Sequence, residues 1–324
     1  MQEVIIGQEV ETGIIGPTVS VVMAAYNAEA FIHRAINSVL KQSNVNLELL
    51  VVDDASTDKT ATIVTLASHQ DSRVQLIQLK NNGGPSAARN AGFEAAKGLW
   101  IAVLDADDAY HPHRLHTLLN IARLEKADII ADNFVYFDPI KQRESGPSLR
   151  ERPRIQLISL VDYISGARPF AKDADLGLLK PIFRKEFLQN NKVRYLTSVR
   201  HGEDFEFMLS ALRAGARFFI CREYSFYKYT GRESGWSKTQ VDYSGQISRA
   251  RAVASEPDVS AQPPVVRALQ LRASSLERLQ LDRAWHERRG RAGFIEGLQM
   301  DLASPTHWRD AARRIKRRLL KRRF

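Results

Sequence analysis

The sequence predicts an α/β protein: a mostly parallel sheet with helices on both faces, followed by a helical, basic C-terminal extension. Three observations predict it. Strand-length apolar runs alternate with helix-patterned segments from Thr18 to Val135, which argues for right-handed βαβ units. The strands are apolar throughout, as a sheet covered on both faces requires. Two of them end in acids, Asp53-Asp54 and Asp105 to Asp108, and ligands of open α/β sheets bind at strand carboxyl ends.

The elements follow in order. Val19 to Met23 is the first strand. Asn27 is placed to cap a helix whose stripe is Phe31, Ala35, Val39 and Leu40. Leu47 to Val52 is the second strand, and Ser56, Thr57 or Asp58 can cap the next helix, which runs to about Ser68. Val74 to Leu79 is the third strand. Pro85 suits a first helical position, and Gly98 closes that helix. Trp100 to Leu104 is the fourth strand. Pro112 opens a helix to about Lys126, and Ile129 to Val135 is the fifth strand. Residues 138–155 are polar with prolines and read as a loop. Residues 156–230 mix helix and strand, including Gly177–Phe183, a helix from about Phe205 to Arg213 and the aromatic run Phe218 to Tyr229. Residues 231–244 are polar and Gly/Ser-rich, a mobile loop by composition. The expected organisation is a leader over 1–16, a first half over 17–135, a second half over 136–244 and a helical basic region over 245–324.

Composition narrows the class. With 44% apolar and 26% charged residues the chain is globular. The single cysteine, Cys221, allows no disulfide within the chain, which fits a reducing compartment. The N-terminus lacks the basic and apolar regions of a signal peptide. No stretch approaches the roughly 18 to 20 apolar residues of a membrane span. The expectation is a cytoplasmic protein, soluble or peripheral at the inner face of the membrane. The +10 net charge lies wholly in residues 245–324, which carry 18 basic and 8 acidic side chains.

Four motifs carry chemistry. The carboxylates of the D-x-D-D run Asp105 to Asp108 repel one another unless a cation sits among them, and hard oxygen ligands suit Mg²⁺ or Mn²⁺. A divalent ion there would suit a diphosphate; the plainer alternative is an acidic surface turn. Asp53-Asp54 can accept hydrogen bonds from a base or a ribose, or can simply cap a turn. Asn82 to Asn90 combines a glycine loop, a helix start and Arg89, an arrangement that favours anions. It matches neither the P-loop nor the dinucleotide fingerprint. Glu203-Asp204 opens a helix and can supply a general base or an N-cap. His33, His111, His113 and His116 match no zinc spacing.

Ala25-Tyr26-Asn27, Val51 to Asp58, Gly84 to Gly92, Leu104 to Asp108 and Gly202-Glu203-Asp204 occur in that order. As an ordered set they resemble the family 2 nucleotide-sugar glycosyltransferases, whose GT-A fold is Rossmann-like. More narrowly, the chain is similar to bacterial exopolysaccharide glucosyltransferases of the succinoglycan type. The likeness is densest over residues 17–135 and extends to about 230 through Glu203-Asp204 and Arg232 to Ser237. It implies that Asp54 holds the uracil of a UDP-sugar with Asp53 beside it. Ala24 and Tyr26 would line the nucleotide pocket, and Arg89 would sit near the base or diphosphate. Asp107 and Asp108 would bind ribose and Mn²⁺ or Mg²⁺, supported by Asp105. Asp204 would be the base, with Glu203 completing the catalytic pair, and Arg232, Ser234 and Ser237 would lie on a closing loop. The implied reaction is a single inverting displacement onto a hydroxyl of a glycan acceptor carried on polyprenyl diphosphate.

One departure matters. Processive synthases of the family carry Q-x-x-R-W and spanning helices, whereas Gln246 to Ala250 lacks the tryptophan, so the chain is expected to add one sugar per encounter. A catalytically silent sugar-nucleotide-binding module would have no need of Asp204 together with Asp107 and Asp108. A nucleotidyltransferase would carry a glycine-rich phosphate loop where Ala24 to Asn27 stands. In residues 308–324, Trp308, Ala311, Ala312, Ile315, Leu319 and Leu320 share a helical face ringed by arginine and lysine, a pattern suited to an anionic membrane surface or to a solvated helix packing on its own domain. The core offers no aromatic-basic surface, so no nucleic-acid partner is expected.

Overall fold

A buried apolar strand needs a neighbour on each edge, and β1 (Val19–Ala25) has β2 (Leu47–Asp53) on one side and β4 (Trp100–Val103) on the other, both parallel to it. The computed structural model describes residues 16–138, 143–149, 153–171, 175–229, 242–291 and 299–300. Between these strands run α1 (Ile32–Leu40), α2 (Thr60–Gln70), β3 (Val74–Gln78) and α3 (Gly84–Ala95). Then come α4 (Arg114–Leu124), β5 (Ile129–Asp138), β6 (Arg143–Pro147), β7 (Ile155–Ile158), α5 (Leu160–Gly166), β8 (Ile182–Arg184) and α6 (Lys185–Asn190). The described chain continues through α7 (Glu203–Arg213), β9 (Phe218–Tyr229), α8 (Ser244–Ala254), α9 (Pro257–Ser260) and α10 (Pro263–Arg291).

The strands form one nine-stranded sheet in the order β3-β2-β1-β4-β8-β5-β9-β7, with β6 on β5. β8 lies antiparallel between β4 and β5, so β4 and β5 point the same way. β9 is parallel to β5, and β7 is antiparallel to β9. The mostly parallel sheet therefore holds, with β6, β7 and β8 reversed. Strands from both expected halves of the chain share this sheet and its apolar core.

Local chemistry corrects several boundaries. Asn27 caps nothing: α1 starts five residues later, and Asn27 adopts φ +46° while its Oδ1 accepts the Thr57 N–H at 2.8 Å. Asparagine tolerates that left-handed conformation, and here it ties the β1 and β2 exits together. None of the three candidates is the N-cap of α2, which is Lys59; Asp58, one residue earlier, accepts the Thr60 N–H at 2.9 Å. The expected loop 138–155 contains β6, which is mostly exposed and held by main-chain pairing, so its sequence carries no apolar pattern.

The strands are also not wholly apolar. Buried Ser20 donates to Glu48 at 2.5 Å, and Gly98 N–H donates to the Ser20 hydroxyl at 2.8 Å. Gly98 is required by close approach, since a Cβ would stand 2.5 Å from the Ser20 nitrogen. α10 buries Val265, Leu269, Arg272, Ala273 and Leu276, the 3-to-4 spacing of one helix face. That face packs on α8 and α5.

Candidate active site

The carboxyl ends of β1, β2 and β4 open on one crevice. β2 delivers Asp53 and Asp54, both buried. Asp54 accepts the N–H groups of Gly83 and Gly84, each at 2.8 Å, and so fixes the loop that starts α3. Burial raises the Asp54 pKa, against the lowering effect of those two bonds. Asp53 accepts the Ser56 N–H at 3.3 Å. At the end of β1, Ala24 is partly buried and the Tyr26 ring is exposed, an open wall beside these acids.

α3 carries the geometry inward. Its start is held by Asp54, and its buried Arg89 reaches the second acidic cluster. The Arg89 guanidinium lies 3.0 Å from Asp105, 3.0 Å from Asp204 and 3.2 Å from Glu203. Its face covers the Tyr195 ring at 5.1 Å. Burial acts to lower the Arg89 pKa, but Asp204, Tyr195, Asp105 and Glu203 outweigh it and hold the group above its usual value. Arg89 is thus an internal tie between the D-x-D-D run and the start of α7.

Sequence reasoning missed a second cation. Lys180, 4% exposed, sits just before β8 with Nζ 2.7 Å from Asp105 and 3.7 Å from Asp204. Burial opposes its charge, and Asp105 and Asp204 more than restore it, so its pKa is raised. The available signal was a lone lysine inside the apolar run Leu176 to Phe183. Tyr195 was also missed; its hydroxyl donates to Asp204 at 3.0 Å, and nothing in its local sequence marks it.

Lys180 is itself held from behind. The Arg114 guanidinium donates to the Lys180 carbonyl and pairs with Asp132 at 2.7 Å, both side chains fully buried. It lies under the Tyr110 ring at 4.2 Å, and the Tyr110 hydroxyl donates to the Val103 carbonyl at 2.6 Å. Burial pushes the Tyr110 pKa up to about 12, which keeps that donor proton in place.

Asp105, Asp107 and Asp108 present carboxylate oxygens within 4.8 Å of one another. The set is all hard oxygen, which fits Mg²⁺ or Mn²⁺. Arg34 of α1 pins the run by donating to the Asp107 carbonyl at 2.9 Å. The structure therefore brings together Arg89, Asp105, Asp107, Asp108, Glu203 and Asp204, with Asp53 and Asp54 at the other end of α3. Arg232, Ser234 and Ser237 lie outside the described residues.

Against known proteins, the model of glycosyl transferase family 2 matches residues 20–185, about half of the chain. Succinoglycan biosynthesis protein ExoO of Rhizobium meliloti is 42% identical over 62% of this chain and 57% of its own length. ExoU of the same organism is 35% identical over 62% of this chain and 59% of its own length. The chain thus spans less than two thirds of either relative. The structure of Staphylococcus aureus TarS with UDP-GlcNAc superposes with a TM-score of 0.64 at 21% identity, covering 78% of this chain and 71% of that one, a likeness of fold.

Glu203 gives the site a pH signature. Burial and the charge of Asp204 raise its pKa above the usual 4.5. A carboxyl raised on folding stabilises fully below its unfolded value, and that contribution is lost as pH rises through the folded value. Glu203→Gln is expected to flatten the fall in melting temperature as pH rises above about 4.5. Thermal melts across that range would contradict this if the variant lost more stability at high pH than at low.

Proposed function

The chain belongs to glycosyl transferase family 2, and on that premise we propose that it transfers a single hexose from a UDP-sugar to a glycan hydroxyl, with inversion, in bacterial exopolysaccharide synthesis. One observation carries the reading. A carboxylate trio suited to a divalent ion and a carboxylate suited to act as base flank the same two buried cations. The names of ExoO and ExoU support the polysaccharide setting.

Each residue then has a task. Asp53 and Asp54 receive the uracil end of the donor, directly or through the loop that Asp54 fixes, and Ala24 and Tyr26 wall the nucleotide. Asp107 and Asp108, with Asp105 behind them, would hold Mn²⁺ or Mg²⁺. When bound, that ion neutralises the charge that develops on a departing diphosphate. The anomeric carbon becomes electron-poor as its bond to phosphate breaks, and the acceptor oxygen attacks from the opposite face. Asp204 takes the acceptor proton. Its Oδ1 is engaged by Arg89 and the Tyr195 hydroxyl, so Oδ2, which Lys180 faces at 3.7 Å, is the oxygen placed to receive it. One displacement converts an α-linked donor into a β-linked product. Arg232 and Ser234 would close over the diphosphate. In this reading residues 17–135 form the donor half and residues 136–244 the acceptor half.

The acceptor is proposed to be linked to polyprenyl diphosphate, which places the reaction at the cytoplasmic face of a membrane. No described helix is long and apolar enough to cross one. The basic, amphipathic pattern of residues 308–324 would instead lie on anionic lipid, at about 1 kcal/mol per cation near the surface. Removing residues 305–324 is expected to abolish binding to phosphatidylglycerol liposomes while sparing UDP binding; undiminished liposome binding would refute the anchor.

The donor reading is tested by calorimetric titration of UDP in Mn²⁺ and then in EDTA. Binding is expected to require the metal and to weaken at least about ten-fold, or 1.4 kcal/mol, in Asp107→Ala. Tight UDP binding that survives both EDTA and the substitution would displace the roles given to the D-x-D-D run. Absence of UDP binding in Mn²⁺ would remove the UDP-sugar assignment itself.

A further inference from the structure

The donor and acceptor halves leave the helices after residue 244 without a task, yet those helices grip the first turn of α7, where Asp204 stands. Gly202 precedes that turn at φ +80°, against Gln246 of α8; a Cβ on Gly202 would lie 2.6 Å from the Gln246 amide carbon. Glycine is what allows both the backbone conformation and the contact. Gln246 accepts a hydrogen bond from Arg272 of α10 at 3.0 Å. The Arg272 guanidinium sits 3.5 Å from the centroid of Phe205, the residue after Asp204. The same ring stacks with Tyr163 of α5 at 5.6 Å and 15°. One turn along α7, buried Glu206 accepts a hydrogen bond from Arg249 of α8 at 3.0 Å.

These contacts form a seam. Gln246 and Arg249 stand three apart on α8, and Gly202 and Glu206 stand four apart along the start of α7, so each pair faces the other. Arg272 reaches the seam from the buried face of α10 and is only 4% exposed. Burying a guanidinium costs several kcal/mol of desolvation unless its contacts offset it. Arg272 donates to Gln246 and covers the Phe205 face, both of which bear on residues beside Asp204, while Asp175, Tyr163 and Glu206 act on its charge from nearby.

We propose that α8 and α10 act as a clamp on the first turn of α7, with Gln246, Arg249 and Arg272 as positioning residues that hold Asp204 against Arg89 and Tyr195. The proposal deepens the reading of Asp204 as the base and rests on it. It also gives the Q-x-x-R segment of this chain a use without the tryptophan: its Gln246 and Arg249 face the protein's own base helix. Small displacements of a base are costly, because about 1 Å of misplacement can lower turnover 100-fold.

The test uses the full chain with Arg272→Met, Gln246→Ala and Arg272→Lys. Arg251→Ala is the control, since the Arg251–Glu277 pair joins α8 to α10 away from α7. Three quantities are read: amide hydrogen exchange over residues 200–209, UDP affinity in Mn²⁺, and UDP release from a panel of UDP-sugars. Arg272→Met and Gln246→Ala are expected to speed exchange over 200–209 about ten-fold, because a local opening energy has fallen. They should leave exchange in α3 and UDP affinity unchanged, and lower kcat at constant donor KM. Arg272→Lys should recover part of the protection and the turnover, and Arg251→Ala should match wild type. Unchanged exchange over 200–209 in Arg272→Met, or an equal rise across α3, would overturn the clamp. If Arg272→Met does not fold, Gln246→Ala decides in the same way. A wild-type protein that releases no UDP from any donor would sink the transfer reading, while the exchange measurement would still decide the clamp.

Discussion

Two buried cations set between opposed carboxylates are the interaction on which the site depends. Asp105, Asp107, Asp108, Glu203 and Asp204 converge on one crevice, and carboxylates that close cannot all stay charged without compensation. Arg89 and Lys180 supply it from different elements. Arg89 comes from α3 and spans Asp105, Glu203 and Asp204. Lys180 comes from the segment before β8 and spans Asp105 and Asp204. Both are almost fully buried, so each carries a desolvation cost that only its partners offset. The Asp105 to Asp108 run and Asp204 therefore stand side by side with both buried cations set between them.

The rest of the fold can be understood as what delivers those two cations. Lys180 reaches the crevice because β8 inserts antiparallel between β4 and β5, opening a path for the preceding segment. The buried Arg114–Asp132 pair then holds the Lys180 carbonyl, which fixes the root of the side chain. Arg89 is set by α3, whose first residues are tied to Asp54, so the Asp54 loop and the charge cluster are coupled through one helix. α7 presents Glu203, Asp204 and Glu206 in its first turn, where the helix dipole favours negative charge.

The boundary between what was legible in the sequence and what was not follows the range of the interactions. β1 to β5 were readable because an apolar run between turn residues is a local signal. Asp53, Asp54 and the D-x-D-D run stood out because each acid directly follows an apolar run, a local signal that does not separate a turn-fixing carboxylate from a ligand-binding one; Asp54 fixes the Gly83-Gly84 turn. Lys180 and Tyr195 were not, since their meaning is created by contacts with residues far along the chain. β6 was missed because an exposed edge strand is held by main-chain pairing rather than by side-chain pattern. Asn27 misled because the side chain that suits a helix cap also suits a left-handed turn. Arg89 stood out as a cation beside a helix start, expected near the base or diphosphate, but it is buried among three carboxylates that arrive from the segment after β4 and from α7, beyond anything spacing could show.

The central claim, that Lys180 is needed because Asp105 is charged and close, is tested most directly by a double-mutant cycle of Lys180→Met and Asp105→Asn in urea unfolding. Lys180→Met alone is expected to cost about 3 kcal/mol, since it leaves the partly buried Asp105 carboxylate without the buried ammonium 2.7 Å away. In the double variant most of that cost should vanish, a coupling of roughly 2 kcal/mol or more. Additive losses, with the double variant as unstable as the sum of the singles, would contradict the account.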